Sequence, residues 1–195
     1  AWTVSSGGVS GVSGFESGHQ YEYSARAQDV SGNWTLTYGT YTAVLDSDAS
    51  VSRSTSPING NKIAVNNLSF IRGTMAEIAT PGNNLGTVQN VRVRLQRLDT
   101  KQYWSPLSGW VADYILGSTD GSDAEVGFNI ALGTWQVDAS QMPAGANLVA
   151  GTSYYITSSA EDNTDTRNVE AFGVIASTVV YESSAPFSAI ESPAD

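Results

Sequence analysis

Apolar and polar side chains alternate along most of this chain with the period of two that a half-buried β-strand requires. Residues 88–98 show this best, because Val91, Val93 and Leu95 face one way while Arg92, Arg94 and Arg97 mostly face the other. No window of comparable length has helical periodicity. The pattern predicts an all-β fold, with strands at residues 63–74, 88–98, 102–104, 110–116 and 126–137, and a closing hairpin of residues 153–161 and 170–181.

One hairpin pattern occurs twice, because YEYSARAQDVSGNW at residues 21–34 returns in degraded form as YYITSSAEDNTDTRN at residues 154–168. Six residues have counterparts 133 positions later: Trp2, Val4, Gly18, Tyr21, Ala27 and Asp29 match Trp135, Val137, Gly151, Tyr154, Ala160 and Asp162. Beyond the turn the offset becomes 136, which pairs Ser52 with Ser188 and Pro57 with Pro193. The spacing indicates a repeat that gained three residues in the turn or in the strand after it.

The repeat divides the chain into one complete module and parts of two others. Residues 1–48 match the C-terminal part of a preceding repeat, residues 49–183 form a complete module, and residues 184–195 begin a following repeat or linker. A repeat of about 135 residues is long for a solenoid unit and suits an immunoglobulin-like β-sandwich with elaborated loops. We therefore expect an immunoglobulin-like sandwich with partial flanking modules.

Charge and cysteine content narrow the partners and the compartment. Nineteen acidic and nine basic residues among 195 give a net charge of -10, which repels nucleic acid and anionic membranes and attracts divalent cations. The absence of cysteine excludes disulfides and fits a secreted bacterial protein. No apolar run approaches the roughly 20 residues that span a bilayer. We expect an extracellular or cell-surface protein that binds no nucleic acid and does not insert into membranes.

Catalysis is not indicated by the residue pattern. His19 is the single histidine, and no cysteine or second histidine could complete a triad or a zinc site with it. Asp113, Asp120, Asp123 and Glu125 surround a glycine-containing loop, but a general acid and base need opposed positions in a cleft. We expect no enzymatic activity.

Acidic residues in three places are candidate calcium ligands, because that ion prefers hard oxygen ligands in flexible loops. The candidates are Asp120 and Asp123 in the loop at residues 118–125, Asp29 and Asn33 in the first hairpin turn, and Asp46 and Asp48 at the module boundary. Asp162, Asn163 and Asp165 in the second turn and Glu182 at the far boundary are their counterparts. The alternative for the loop is a solvated hairpin, and the alternative for the turns is ordinary Asp and Asn turn hydrogen bonding.

Four aromatic residues close together in sequence are a candidate sugar-binding platform: Tyr103, Trp104, Trp110 and Tyr114. Exposed rings could stack on sugars, whereas packing in the core or across a hairpin would bury the same rings. Trp2 and Trp135 occupy equivalent repeat positions, which favours a structural role for that pair.

The hairpin sequence Tyr-x-Tyr-x-Ala-x-Ala-x-Asp-x-Ser-Gly-Asn at residues 21–33 resembles the penultimate strand and turn of bacterial immunoglobulin-like and fibronectin type III-like repeats. Three further motifs are similar to repeats of very long bacterial surface proteins: Ser-x-x-x-Ser-Pro-x-Asn-Gly at 52–60, Ile-x-Gly-Thr at 71–74, and Val-x-Val-Arg-Leu-Gln-Arg-x-Asp-x-x-x-Tyr-Trp at 91–104. These motifs are structural, so the resemblance implies a fold and a context. It implies a spacer, an adhesive stalk or an assembly subunit.

The leading functional hypothesis is a non-enzymatic structural or adhesive module of a bacterial surface protein, stalk or filament. Its partners would be copies of itself or adjacent repeats, and also glycans or host and cell-surface ligands. Incomplete modules at both ends would leave strand faces uncovered, so neighbouring chains are expected to complement one another head to tail. The alternatives are a carbohydrate-binding module that uses the tryptophans and a viral or phage structural sandwich.

Overall fold

The computed structural model describes residues 14–57, 62–65, 67–78, 86–117, 125–184 and 187–189. Their strands are β1 (Gln20–Ala25), β2 (Gly39–Val44), β3 (Val51–Ser56), β4 (Lys62–Val65), β5 (Ile71–Ala76), β6 (Val88–Arg97), β7 (Gln102–Ser105), β8 (Gly109–Val111), β9 (Gly127–Asn129), β10 (Thr134–Val137), β11 (Ser153–Asp162) and β12 (Ala176–Tyr181). Two short 3₁₀ helices, Ala139–Gln141 and Gly145–Asn147, lie between β10 and β11. No described segment forms a helix that is long and apolar enough to span a bilayer. The prediction of an all-β fold is confirmed.

Two sheets pack face to face and enclose one hydrophobic core. The larger sheet has the strand order β4-β12-β11-β6-β7-β8, and the smaller has the order β3-β5-β10-β9. All neighbours are antiparallel except β4 and β12, which are parallel. The aliphatic face predicted for β6 is buried as Val91, Val93 and Leu95, and it meets Trp135 and Ile71 of the smaller sheet in the same core cluster. The period of two therefore places β6 correctly.

Strands β1 and β2 form a separate two-stranded sheet with the same register as β11 and β12. Tyr21 lies opposite Ala43 in the first hairpin, and Tyr154 lies opposite Val179 in the second. Tyr21 and Tyr154 are 133 positions apart, and Ala43 and Val179 are 136 positions apart, which are the two offsets of the sequence alignment. The repeated pattern thus corresponds to a repeated backbone structure.

The entry into both hairpins is also shared. The Gly18 N–H donates to the Leu45 carbonyl at 2.8 Å, and the Gly151 N–H donates to the Tyr181 carbonyl at 2.8 Å. Both glycines have a backbone φ of 77°, which residues with a Cβ rarely adopt. A glycine at this position is therefore required by the backbone.

The turns show where the second copy gained residues. The Asp29 N–H donates to the Asn33 carbonyl at 2.9 Å, and the Asp162 N–H donates to the Asn168 carbonyl at 3.2 Å. Three residues separate the first pair and five separate the second, so two of the three extra residues lie inside the turn. The third lies between the turn and strand β12.

Several predicted strand boundaries are wrong because alternation does not show where the chain changes sheets. The segment at residues 63–74 is two strands, β4 in the larger sheet and β5 in the smaller. The segment at residues 126–137 is the β9–β10 hairpin, and β12 begins only at Ala176. The segment at residues 110–116 contains only the short strand β8, followed by an isolated bridge from Leu116 to Val93.

Strand β3 is absent from the sequence prediction because its buried face is polar. Ser50, Ser52 and Ser54 lie on the inward side of this segment and are almost fully buried. Serine in a chain rich in Ser, Thr and Gly is typical of loops, so hydrophobic alternation gives no signal here. This strand packs against β11 across the sandwich.

Candidate functional site

The linker between β2 and β3 is attached to the turn that follows β11. The Asn168 side-chain amide donates to the Asp46 carbonyl at 3.1 Å, and the Gly86 N–H donates to Asp46 Oδ2 at 3.0 Å. On the neighbouring loop, the Thr87 N–H donates to Asn163 Oδ1 at 2.8 Å. The two contacts of Asp46 hold the linker against one end of the sandwich.

Three carboxylates meet at this junction although they are far apart in sequence. Asp46 comes from the linker, Glu77 follows β5, and Asp162 ends β11, and one oxygen of each lies within 4.8 Å of the others. In the described part of the chain, the ion pairs of Arg and Lys side chains involve none of the three. Burial, together with the negative charges of Asp46 and Asp162, raises the pKa of the Glu77 carboxyl. Such a group of oxygens could hold a divalent cation.

Asp162 is fixed by its own turn. Its Oδ1 accepts hydrogen bonds from the Thr164 N–H and hydroxyl at 3.1 and 2.6 Å and from the Asn168 N–H at 3.0 Å. Its Oδ2 accepts the Asn168 side-chain amide at 2.7 Å. Burial opposes ionisation of the carboxyl, but the hydrogen bonds from Thr164 and Asn168 outweigh it and lower the pKa. The turn therefore presents an ionised carboxylate at the junction.

Asp29 and Asn33 form the equivalent turn in the first hairpin, where they are hydrogen-bonded to each other. Asp29 Oδ1 accepts the Ser31 and Asn33 N–H groups at 2.9 Å, and Asp29 Oδ2 accepts the Asn33 side-chain amide at 2.9 Å. The hydrogen bonds from Asn33 and Ser31 lower the pKa of the Asp29 carboxyl. The geometry is the ordinary turn hydrogen bonding considered as the alternative, and no further acidic side chain of the described residues groups with Asp29 as a metal-ligand set.

The remaining calcium candidates are divided between the junction and a part of the chain outside the described residues. The Asp48 N–H donates to Asp46 Oδ1 at 3.2 Å, but the Asp48 carboxylate does not belong to the group of three. Asp120 and Asp123 lie outside the described residues. Glu125, at the edge of that loop, accepts the Tyr114 hydroxyl at 2.5 Å and the Gly117 N–H at 3.0 Å.

The candidate sugar platform is built differently from the sequence hypothesis. Trp104 is only 5% exposed, and its indole N–H donates to the Gln141 carbonyl at 2.8 Å. Its ring packs edge-on against Trp110 at 5.3 Å between centroids, and the Trp110 N–H donates to the Asn147 carbonyl at 2.9 Å. Trp104 is a core residue and has no free face for a sugar, because the β7–β8 hairpin turns it inward.

The two tyrosines of that set do not extend the tryptophan pair. Tyr103 neighbours Trp104 in β7 and so points to the opposite face of the sheet, where the Arg94 guanidinium lies 5.2 Å from its ring centroid. Tyr114 is half-buried and bonded to Glu125. The four rings therefore do not form one surface.

The residues that were considered for catalysis and set aside lie apart from one another as far as the structure describes them. His19 is exposed, with its Nε2 3.7 Å from a Glu16 carboxylate oxygen on the first hairpin. Asp113 accepts an ion pair from Arg94 at 3.1 Å on the larger sheet. These positions offer no opposed acid and base.

Glu77 and Glu170 are the residues that sequence reasoning missed. Glu77 follows a strand that was misplaced, and its role depends on a contact with the linker: it accepts the Ser50 hydroxyl at 2.7 Å. Glu170 is buried and accepts the Ala160 N–H at 3.0 Å and the Ser52 N–H at 2.8 Å. Asp162 and Asp46 did carry a signal in the sequence, Asp162 as the repeat counterpart of Asp29 and Asp46 as a residue of the module boundary.

The first hairpin exposes a face that its copy buries. Ile156 is fully buried in β11, whereas its counterpart Tyr23 is 45% exposed, and Tyr41, opposite Tyr23, is 70% exposed. A groove of about 820 Å³ runs along this face. The Arg26 guanidinium lies 4.3 Å from the ring centroid of Trp34 beside it.

No family model matches this chain, no curated protein matches it, and no solved structure matches its fold.

Proposed function

We propose that this chain is a non-enzymatic, immunoglobulin-like repeat module that gives length, stiffness and surface contacts to an extracellular bacterial surface protein, stalk or filament. The observation that carries the proposal is one hairpin built twice with the same register, of which, among the described residues, only the second copy is part of a sandwich. An isolated two-stranded hairpin is marginally stable in water. The division into residues 1–48, 49–183 and 184–195 belongs to this proposal, with the first hairpin as the end of one module.

The attachment of the linker supports a stiff arrangement of successive modules. A free linker would behave as a flexible chain, whereas this one is hydrogen-bonded to two loops of the next module through Asp46. The far boundary has the same local structure, because the Ser184 N–H donates to Glu182 Oε1 at 2.8 Å as the Asp48 N–H donates to Asp46. Repetition of this junction would produce a rod.

Calcium at the junction is the cofactor part of the proposal. The three carboxylates Asp46, Glu77 and Asp162 repel one another, and a divalent cation bound by them would join the linker to two loops of the sandwich. A ligand present at ten times its dissociation constant stabilises the native state by about 1.4 kcal/mol. We expect calcium to raise the free energy of unfolding by that order.

A matched pair of variants tests the calcium site. Asp46→Asn should abolish the stabilisation by calcium, and Asp29→Asn, in the equivalent turn outside the group, should retain it. Thermal unfolding with calcium and with a chelator provides the measurement. Equal calcium effects in both variants would remove the ion from this junction and leave the repeat proposal in place.

The location of the protein tests the functional proposal itself. An antiserum raised against the chain should label intact cells of the source organism, and external protease should remove the signal while a cytosolic marker survives. Labelling that appears only after lysis would contradict the proposal. The carbohydrate-binding alternative has less support, since Trp104 is buried and the half-buried Trp110 has its indole N–H bonded to the Asn147 carbonyl.

A further inference from the structure

The complete module shows what covers a hairpin of this kind. Strand β3 lies across the inner face of β11, where the Ser52 N–H and hydroxyl both donate to Glu170 Oε2 at 2.8 Å. The Ser52 hydroxyl also lies 2.8 Å from the Ser158 hydroxyl oxygen. A short, serine-faced strand therefore closes this side of the β11–β12 hairpin.

The first hairpin presents the same receptor, and no described residue of this chain takes the place of β3 on it. Thr35 is the counterpart of Glu170, and its Oγ1 accepts the Ala27 N–H at 3.2 Å as Glu170 Oε2 accepts the Ala160 N–H at 3.0 Å. The oxygen that receives Ser52 in the module thus has an equivalent on the open hairpin. It lies in the groove of about 820 Å³ that Tyr23, Ala25 and Tyr41 also line.

The same chain also carries a second copy of the covering sequence. At the offset of 136, residues 184–195 match residues 48–59, so Ser188 corresponds to Ser52 and Ala189 to Arg53, which is exposed. Ser184 and residues 187–189 are described outside any strand, and Phe187 is 91% exposed. The segment contains no Lys or Arg, which suits a receptor that has neutral Thr35 where the module has Glu170.

We propose that residues 184–195 of one copy occupy the open face of the β1–β2 hairpin of a second copy, in the place that β3 takes on β11–β12. This inference rests on the proposed head-to-tail function and specifies its contact. The contact is heterologous, with different surfaces on the two partners, so it propagates into an open chain of subunits.

The contact is expected between copies, because within one copy the segment and the first hairpin extend from opposite ends of β11. Ser188 is seven residues beyond Tyr181, a reach of at most ~25 Å. The Tyr181 N–H is bonded to Thr152, at one end of β11, and the linker is bonded to Asn168 at the other. The ten residues of β11 alone cover ~33 Å.

Cysteine pairs test the contact directly, since the chain has no cysteine of its own. Full-length Thr35→Cys and Ser188→Cys proteins, mixed in equal amounts and oxidised, should give a cross-linked heterodimer. The matched control replaces Ser188→Cys by Ala189→Cys, whose side chain would point away from the groove as Arg53 does in β3. We expect at least tenfold more cross-linked product with position 188 than with position 189.

Light scattering on the unmodified chain provides a second test, because it measures whether oligomers form. Oligomers that form with rising concentration and are lost in Thr35→Lys, but not in Thr42→Lys on the opposite face of the hairpin, support the proposal. Equal cross-linking at both positions, or none, overturns it and leaves the hairpin to be covered by residues of a preceding repeat. Surface labelling of cells is independent of either result, so failure of this contact is distinguishable from failure of the proposed function.

Discussion

Replacing Gly73 by alanine should strongly destabilise the sandwich. Gly73 lies in β5, opposite Trp135 of β10 on one side and Ser54 of β3 on the other. A Cβ at this position would lie 2.0 Å from the Arg53 carbonyl oxygen and 2.3 Å from Cζ2 of the Trp135 ring. Neither atom can move easily, because the carbonyl belongs to the backbone and the indole N–H is bonded to the Thr74 carbonyl at 3.0 Å.

The expected loss is at the upper end of the range for overpacked cores, which is about 1–3 kcal/mol and occasionally more. For a chain of this length, about 3 kcal/mol lowers the midpoint of thermal unfolding by roughly 6–12 °C. Urea unfolding followed by tryptophan fluorescence measures this loss, because Trp135 and Trp104, two of the five tryptophans, are buried in the core and become exposed on unfolding.

Gly127→Ala, in strand β9 of the same sheet, is the matched control. The nearest heavy atom to a Cβ there is 3.8 Å away, so the free energy of unfolding should change by less than about 0.5 kcal/mol. A Gly73→Ala protein as stable as the control would refute the close approach of the Trp135 ring to the β5 backbone. It would also remove the physical reason for glycine in the Ile-x-Gly-Thr motif.

Three further predictions concern the junction and the core. The pKa of Glu77 is raised in the folded state above the ordinary value of 4.5, so its contribution to stability is full below that pH and is lost as the pH rises through the folded pKa. Glu77→Gln should therefore increase stability at neutral pH and flatten this part of the pH profile, measured by urea unfolding; an unchanged profile would contradict the repulsion. Asp162→Ala should cost about 2 kcal/mol, because four hydrogen bonds lose their acceptor, whereas Asp29→Ala should leave the main unfolding transition unchanged; equal effects would contradict this difference. Trp104→Ala should cost about 3–5 kcal/mol; a stable variant that loses binding on a glycan array would instead support the sugar platform.

The fold could be predicted from the sequence wherever burial follows alternation. The aliphatic face of β6 comes directly from periodicity, and the equivalence of the two hairpins comes from repeat spacing. Strand β3 could not be found, because the inward positions represented by Ser52 are polar and become core positions only when Glu170 supplies the hydrogen bonds. A buried polar face has no hydrophobic pattern to read.

The candidate site could be predicted only in part, because it is made by topology. Asp46 was recognised as a boundary residue and Asp162 as a turn residue, but nothing in the sequence brings them together. Their proximity depends on the linker turning back against the end of β11, and that of Glu77 depends on β5 lying in the other sheet. Contacts between residues so far apart in sequence can be predicted only when the order of the strands in the two sheets is known.

Differences between the two hairpins follow from what covers each of them. Glu161, at the outer edge of β11, is buried and accepts ion pairs from Arg92 at 3.2 Å and Arg167 at 2.6 Å. Its counterpart in the first hairpin is Gln28, which is exposed and needs no basic partner. Burying a carboxylate without a paired charge is costly, and in the module both arginines come from the larger sheet and its own turn, Arg92 from β6 and Arg167 from the turn after β11. The neutral, exposed Gln28 therefore matches a hairpin that, among the described residues, forms a two-stranded sheet without a neighbouring strand like β6.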